Sequence, residues 1–180
     1  MGLDDGFQRI GSDPFEVPPS ARDDWRRLRG QLPAPVTAWT TYGPSGTPTG
    51  ITVSSVLIAE GDTPSVLGLI APMSDFWEAL RVNKRFVIHV LDSQHTRIAD
   101  QFALRYPGSP FGGLKFSQSD YGPVLDEVEI RVRCTMSGYL DEGYSLLIRA
   151  SLDEMELAAD PTEPLIHYRG RYVTVGPRRK

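Results

Sequence analysis

Thr49-Gly50-Ile51-Thr52-Val53-Ser54-Ser55-Val56 is the stretch of sequence on which the predicted fold depends. Its β-branched residues and leading glycine predict a strand. Side chains alternate between the two faces of a strand, so Thr52 and Ser54 share one face while Val53 and Ser55 share the other. A strand that only fills a core would carry apolar side chains where these hydroxyls stand. Two interpretations stay open: edge-strand hydroxyls bonded to neighbouring backbone, or donors for a phosphate or a heteroaromatic edge.

The rest of the chain supplies further short strands with a few helices between them. Helices are expected from Ser20, where Trp25 would anchor the core, from Ser74 or Asp75, and from Ser93, where Ile98 and Phe102 would face inward. Further strands are predicted at 36–42, 65–71 (buried on both faces), 86–91, 128–136, 144–157 and 165–175. This order predicts a mainly β (α+β) fold, a small barrel with short peripheral helices.

Length and composition predict one domain. The 180 residues are enough for a sizeable core, and residues 1–19 are Gly-, Asp- and Pro-rich, which indicates a flexible arm ahead of a single domain at 20–180. A net charge of -4 argues against a nucleic-acid surface, which needs a clustered positive field. The longest strongly apolar run, 66–73, is too short to span a bilayer, and no secretory signal is visible. We therefore expect no membrane partner and a cytoplasmic location.

Several motifs occur together in a recognisable order. Thr37-Ala38-Trp39-Thr40-Thr41 is followed by Gly50-Ile51-Thr52-Val53-Ser54-Ser55, then by Pro72-Met73-Ser74 and by Arg85-Phe86-Val87-Ile88-His89-Val90-Leu91. The set closes at Pro164-Leu165-Ile166-His167-Tyr168-Arg169-Gly170-Arg171-Tyr172. In this order the motifs resemble the flavin reductase-like family of FMN-binding split β-barrels, whose topology is Greek-key-like.

The resemblance implies both an activity and a site. The expected activity is that of an FMN-dependent NAD(P)H:flavin oxidoreductase, with FAD as the alternative flavin and NADH or NADPH as reductant. The expected assembly is a homodimer with flavin at the interface, and reduced flavin would serve a partner oxygenase in a two-component monooxygenase. The resemblance implies that the flavin phosphate binds the hydroxyls of Thr52, Ser54, Ser55 and Ser74. It also implies that the flavin ring contacts the backbone of Val53, Ala71 and Met73.

Two positions depart from the family pattern. Phe76 stands where the family commonly has a threonine two residues after its serine, so one phosphate donor is missing. Glu142-Gly143-Tyr144 stands where many members carry Gly-Asp-His, so Tyr144 replaces a histidine near the nicotinamide. A tyrosine offers a hydroxyl and a flat ring but cannot carry the positive charge of imidazolium. Two alternatives follow: a flavin- or haem-binding barrel without nicotinamide turnover, and an oxidoreductase that uses another reductant or substrate.

The three histidines have different expected roles. His89 lies in the middle of a predicted strand and is expected to be a core or interface residue with satisfied hydrogen bonds. His95, in the first turn of a predicted helix, is expected to face solvent. His167 belongs to the closing motif and is, with Tyr144, a candidate catalytic residue. Their spacing with the single cysteine, Cys134, matches no zinc pattern, and Cys134 is expected to be a small buried hydrophobe.

Overall fold

The structure is a computed structural model that describes residues 23–105, 107–159 and 163–175. The helices are α1 (Asp24–Gln31), α2 (Asp75–Asn83) and α3 (Thr96–Phe102), with a 3₁₀ turn at Ser93–His95. The strands are β1 (Ala34–Pro35), β2 (Thr37–Tyr42), β3 (Pro48–Val53), β4 (Val56–Ala59), β5 (Ser65–Ile70), β6 (Arg85–Val90), β7 (Phe116–Ser117), β8 (Val124–Leu125), β9 (Ile130–Glu142), β10 (Ser145–Glu156), β11 (Ile166–Tyr168) and β12 (Arg171–Val173). The mainly β prediction is confirmed. The proposed arm at 1–19 and the predicted cap at Ser20 lie outside the described residues.

Seven antiparallel strands form the main sheet in the order β3-β2-β6-β9-β10-β5-β4. The two edge strands of this sheet, β3 and β4, are consecutive in the chain and are joined only by Ser54 and Ser55. Because a two-residue link cannot cross a flat seven-stranded sheet, the sheet has to curl until its edges meet. The predicted split barrel is therefore confirmed, and its closure lies in the stretch quoted first.

Aromatic rings fill the inside of the barrel. Trp39 is fully buried, stacks on Phe86 with ring centroids 4.9 Å apart, and meets the edge of Phe76 at 6.2 Å. Its indole N–H donates to Thr37 Oγ1 at 3.0 Å, which satisfies the polar atom of this buried ring. Gly68 on β5 faces the same indole, and a Cβ there would collide with it. Phe76 thus serves the core, at the position where the family commonly has a threonine.

Helix α3 closes a second, smaller core against β2 and β3. Ile98 and Phe102 are buried, as their spacing predicts. Phe102 lies directly over Gly50, where a Cβ would come within 2.5 Å of the phenyl ring. Thr52 donates its hydroxyl proton to the carbonyl of Ala99 in the same helix, at 2.6 Å. The glycine and the threonine of the opening stretch therefore hold α3 on the barrel.

The expectation that Trp25 anchors the core is wrong. Its side chain is 50% exposed, Leu28 in the same helix is 64% exposed, and Leu32, the residue after the end of α1, is 60% exposed. Within the described residues, α1 lies outside both buried clusters. A periodic apolar face shows that a helix has a side to cover, but it does not say what covers it.

Strand β5 is not buried on both faces, as was expected for residues 65–71. Val66 and Ile70 point into the barrel and are buried, whereas Leu69 on the outer face is 37% exposed. Neither buried cluster includes the outer face of β5.

The described helices are each too short to span a membrane.

Candidate functional site

The link between β3 and β4 lies beside the end of β5. The N–H of Leu69 donates to the carbonyl of Ser55 at 3.1 Å, one residue before β5 ends at Ile70. Ser54 and Ser55 are both half-buried, which leaves part of each residue open to solvent. The Val53 side chain is buried in the barrel, and its carbonyl accepts from Thr37 Oγ1 at 2.7 Å. Val53 thus fixes the strand end from which the two serines project.

Ser74 begins the next element. Its Oγ accepts from the N–H of Trp77 at 3.2 Å and donates to the carbonyl of Ala71 at 2.8 Å. It is therefore the N-cap of α2, and the first helical N–H groups beyond it point toward the turn. Such groups favour an anion, although the carboxylate of Asp75 already occupies this first turn. The cap explains Ser74 locally, and its hydroxyl proton is engaged by Ala71.

Thr52 differs from the serines in the direction of its hydrogen bond. Its one hydroxyl proton goes to Ala99 in α3, so toward a ligand this oxygen offers lone pairs rather than a proton. Ser54 and Ser55 are not committed in this way, since no carbonyl among the described residues accepts from either hydroxyl. Of the hydroxyls predicted to bind phosphate, those of Ser54 and Ser55 have their protons available.

The turn after β5 and the tip of the β9–β10 hairpin lie at the same end of the barrel. Leu146 of β10 pairs with Ile70 of β5 in antiparallel register. The chain before Leu146 and the chain after Ile70 therefore leave the sheet at the same end of the barrel. Ala71 and Met73 follow Ile70, and Met73 is 84% exposed. Tyr144, at the hairpin tip two residues before Leu146, is 90% exposed. An open thioether and an open phenol ring therefore lie at the end of the barrel from which the chain enters α2.

His167 lies on β11, opposite Ala34 of β1 and Tyr172 of β12. Its imidazole approaches the Tyr172 ring edge-on, with centroids 6.1 Å apart. Burial lowers the pKa of His167, and the positive charges of Arg105 and Arg29 lower it further. A neutral imidazole is therefore favoured here near neutral pH.

The charge of Arg29 acts on His167, and its side chain contacts Ser55. Its guanidinium donates to Ser55 Oγ at 3.4 Å, from α1 on the other side of the link. Sequence reasoning missed Arg29, because the contact joins residues 26 positions apart and α1 shows only a general basic character. A surplus of arginines in α1 over its acidic residues was the available signal.

The other two histidines are structural. His89 is fully buried, with Nδ1 3.2 Å from the Ala38 carbonyl and Nε2 accepting from the N–H of Leu125 at 3.0 Å. Burial lowers its pKa to about 3, so it stays neutral, as expected for a satisfied core histidine. His95 is buried rather than solvent-facing, because it forms a capping box with Asp92.

Metal binding and thiol chemistry find little support in the part of the chain that the structure describes. No cluster of three or more histidine, cysteine, aspartate or glutamate residues there could hold a metal ion. Cys134 is buried, as predicted, and burial raises the pKa of its thiol.

A cavity of about 510 Å³ lies between the β2–β3 hairpin and the end of α2. It is lined by Tyr42, Gly43, Pro44, Val82, Asn83, Ser119 and Asp120. None of the residues predicted to bind a cofactor lines it. The serine link, the start of α2 and the hairpin tip lie instead at one end of the barrel, and we call the surface between them the groove. We favour this surface because it combines hydroxyl and helix N–H donors with the exposed ring of Tyr144.

The fold is a curled antiparallel barrel, and one end of it carries hydroxyl groups, a helix N-terminus and an open aromatic ring. These features define a class of small nucleotide-binding barrels. A family model described as "Flavin reductase like domain" matches residues 28–176. The chain belongs to this family, as its motifs suggest.

Curated relatives are similar over most of their length. The reductase subunit HsaB of a flavin-dependent monooxygenase from Mycobacterium tuberculosis is 25% identical over 157 residues, which cover 86% of this chain and 83% of HsaB. The NADH-dependent FMN reductase AsuE2 of Streptomyces nodosus subsp. asukaensis is 26% identical over 160 residues, which cover 86% and 85%.

Solved structures agree in fold. Nitrilotriacetate monooxygenase component B from Mycobacterium thermoresistibile superposes with a TM-score of 0.77 at 28% identity, covering 85% of this chain and 86% of the other. The flavin reductase PheA2 gives a TM-score of 0.78 at 18% identity, covering 87% of this chain and all of PheA2. The second likeness bears on the fold alone.

Proposed function

We propose that the protein is an NAD(P)H:flavin oxidoreductase that takes FMN, or FAD as the alternative flavin, and supplies reduced flavin to a partner oxygenase. The observation that carries the proposal is the convergence of Ser54, Ser55, the start of α2 and the hairpin tip at one end of a flavin reductase-like barrel. The curated relatives support it by their names, which include a monooxygenase reductase subunit and an NADH-dependent FMN reductase.

The residues present fit a flavin. Its phosphate needs donors, and the hydroxyls of Ser54 and Ser55 and the N-terminal N–H groups of α2 lie at the same end of the barrel. Its ring needs apolar walls, and Met73 offers an exposed side chain next to that helix start. The backbone of Val53 and Ala71 borders the same groove. A bound flavin would supply the two-electron redox chemistry, while these residues hold and orient it.

Tyr144 and His167 are the proposed contacts for the reductant. Tyr144 is open enough to stack on a flat ring or to hydrogen-bond a carboxamide. His167 is held neutral by burial and nearby arginines, so its role would be hydrogen bonding rather than charge. With neither group positively charged, orientation of the reductant is the contribution expected from these side chains.

A homodimer is part of the proposal. The outer face of β4, β5, β10 and β9 carries apolar side chains in register: Leu57 opposite Leu67, and Leu69, Leu147 and Leu140 across three strands. Leu57 and Leu140 are 68% and 66% exposed. Contiguous apolar surface of this kind is typical of protein interfaces, and its continuity with Met73 and Tyr144 suits a flavin site completed by a second copy.

Reconstitution of the purified protein tests the proposal. We expect binding of FMN or FAD, followed by oxidation of NADH or NADPH in the presence of added flavin, and a dimer by light scattering. A yellow protein that no nicotinamide bleaches would reject the NAD(P)H:flavin oxidoreductase and leave a binding protein without turnover or an oxidoreductase that uses another reductant. Failure to bind either flavin would leave only the haem-binding alternative.

A double substitution tests the phosphate site. Ser54→Ala with Ser74→Ala removes two hydroxyls and should weaken flavin binding by about 1–3 kcal/mol. Ser45→Ala in the distant β2–β3 turn is the matched control, since its hydroxyl bonds only Thr47. Unchanged affinity in the double variant, measured by fluorescence quenching, would place the phosphate elsewhere.

A further inference from the structure

We infer that Arg29 of α1 is a phosphate ligand of this groove, reaching across the β3–β4 link to Ser55 and binding a phosphate group of a flavin or nicotinamide nucleotide. The inference rests on the proposed function for the identity of the nucleotide but not for the anion site itself. Three features of the described residues point to this role: the position of the guanidinium, its lack of a carboxylate partner among them, and the way in which α1 is held.

The guanidinium of Arg29 adds N–H donors beside Ser55, in a site whose other predicted phosphate donors are engaged elsewhere or absent. Thr52 and Ser74 both direct their hydroxyl protons to backbone carbonyls, and Phe76 carries a phenyl ring into the core. Arg29 approaches Ser55 Oγ at 3.4 Å, a long contact that engages one of its five N–H donors. The remaining donors and the Ser55 hydroxyl proton can converge on one oxyanion, the geometry in which arginine binds phosphate best.

Arg29 also has no acidic partner within the described part of the chain. Arg27 in the same helix pairs with Asp24 at 3.2 Å, and Arg105 pairs with Asp100 at 2.8 Å. Among the described residues no carboxylate lies within ion-pair distance of Arg29. Its charge instead acts on His167, whose pKa it lowers together with Arg105 and burial. Positive potential beside two serine hydroxyls favours an anionic ligand.

Helix α1 is fixed at the residue next to Arg29. The carbonyl of Gly30 accepts from the N–H of Arg169 at 3.0 Å, in the tight turn between β11 and β12. Arg169 and Gly170 both have positive φ, 52° and 78°, so this turn has a defined shape. The backbone that carries Arg29 is thus tied to the barrel, which lowers the entropic cost of presenting the guanidinium.

The test compares ligands that differ only in phosphate. Arg29→Gln should raise the Kd for FMN about ten-fold, leave riboflavin within about two-fold, and flatten the salt dependence of FMN binding. Arg29→Lys should recover part of the loss, because lysine restores the positive charge but not the planar set of N–H donors of the guanidinium. Arg27→Gln is the matched control: the same charge change in the same helix, two residues away and therefore on another face. An equal loss for riboflavin and FMN in Arg29→Gln would overturn the inference, since the residue would then be structural.

Two further arms identify the source of the phosphate. If FMN is unaffected but the KM for NADPH rises relative to that for NADH, the phosphate belongs to the nicotinamide nucleotide and the inference stands. If neither changes by more than about two-fold, it falls. If the wild-type protein binds no flavin, the proposed function fails, but titration with inorganic pyrophosphate still tests the anion site. A shift of the Ser55 amide resonance in wild type but not in Arg29→Gln would support the inference. No shift in either protein would overturn it.

Discussion

Replacing Gly50 by alanine tests why the opening stretch begins with glycine. A Cβ at this position would lie 2.5 and 2.7 Å from two atoms of the Phe102 ring and 2.8 Å from the carbonyl oxygen of Trp39. The carbonyl belongs to the paired strand β2 and cannot move without breaking the sheet, so the ring and α3 have to shift. Phe102 is itself held edge-on by Phe111 at 4.9 Å, which limits that shift.

Overpacking of this kind costs about 1–3 kcal/mol, and the rigid carbonyl places Gly50→Ala at the upper end of that range. For a domain of this size a loss of about 2–3 kcal/mol corresponds to a fall in Tm of roughly 4–12 °C. Urea unfolding followed by tryptophan fluorescence measures the free energy of unfolding, and thermal unfolding followed by circular dichroism measures Tm. Gly138→Ala in β9 is the matched control, because a Cβ there meets nothing within 4 Å.

A double variant isolates the cause of the loss. Phe102→Leu removes part of the ring that the new methyl group would strike, so Gly50→Ala should cost less in the Phe102→Leu background than alone. If Gly50→Ala were as stable as Gly138→Ala, or if the two changes were strictly additive, the close packing of α3 on β3 would not be the reason for the glycine.

Two further substitutions address the histidine of the core and the tip of the β9–β10 hairpin. His89 has a folded pKa of about 3 against an ordinary value of 6.5, so the unfolded chain binds the extra proton between these values and stability should fall as pH drops from about 6.5 to 3. His89→Leu should remove this pH dependence of the free energy of unfolding. It should also lower that free energy by about 2–4 kcal/mol at pH 7, because the Leu125 N–H and the Ala38 carbonyl lose their partner. An unchanged pH dependence in urea titrations would contradict this. Tyr144→His should raise kcat/KM for NADH while leaving stability within about 0.5 kcal/mol, since the side chain is 90% exposed, and no gain in stopped-flow turnover would mean that Tyr144 does not limit the reaction.

Local chemistry made several features predictable from the sequence. Ser74 is followed by an apolar helical pattern, and it caps α2 because a serine hydroxyl satisfies an orphan N–H wherever such a helix begins. The burial of His89 followed from its apolar neighbours in a strand. The barrel and its family followed from the order of the motifs.

Features that depend on distant contacts were not predictable. The pattern of α1 shows an apolar face but not that the barrel leaves Trp25 half exposed. His95 was expected at the surface because its helical position did not reveal the contact of Nε2 with the Glu127 carbonyl, 32 positions further along the chain. Arg29 escaped notice because its partner lies in another element.

The two-serine link has a consequence for how the chain reaches its native state. Strands β3 and β4 are made one after the other, yet they occupy opposite edges of the sheet, and β4 is secured only when β5 has paired with β10. Formation of the groove therefore awaits a strand nearly a hundred residues further along the chain. Such non-local closure makes folding slow and cooperative. The nucleotide groove is thus assembled among the last steps of folding, and a nascent chain lacks it until β10 has been synthesised.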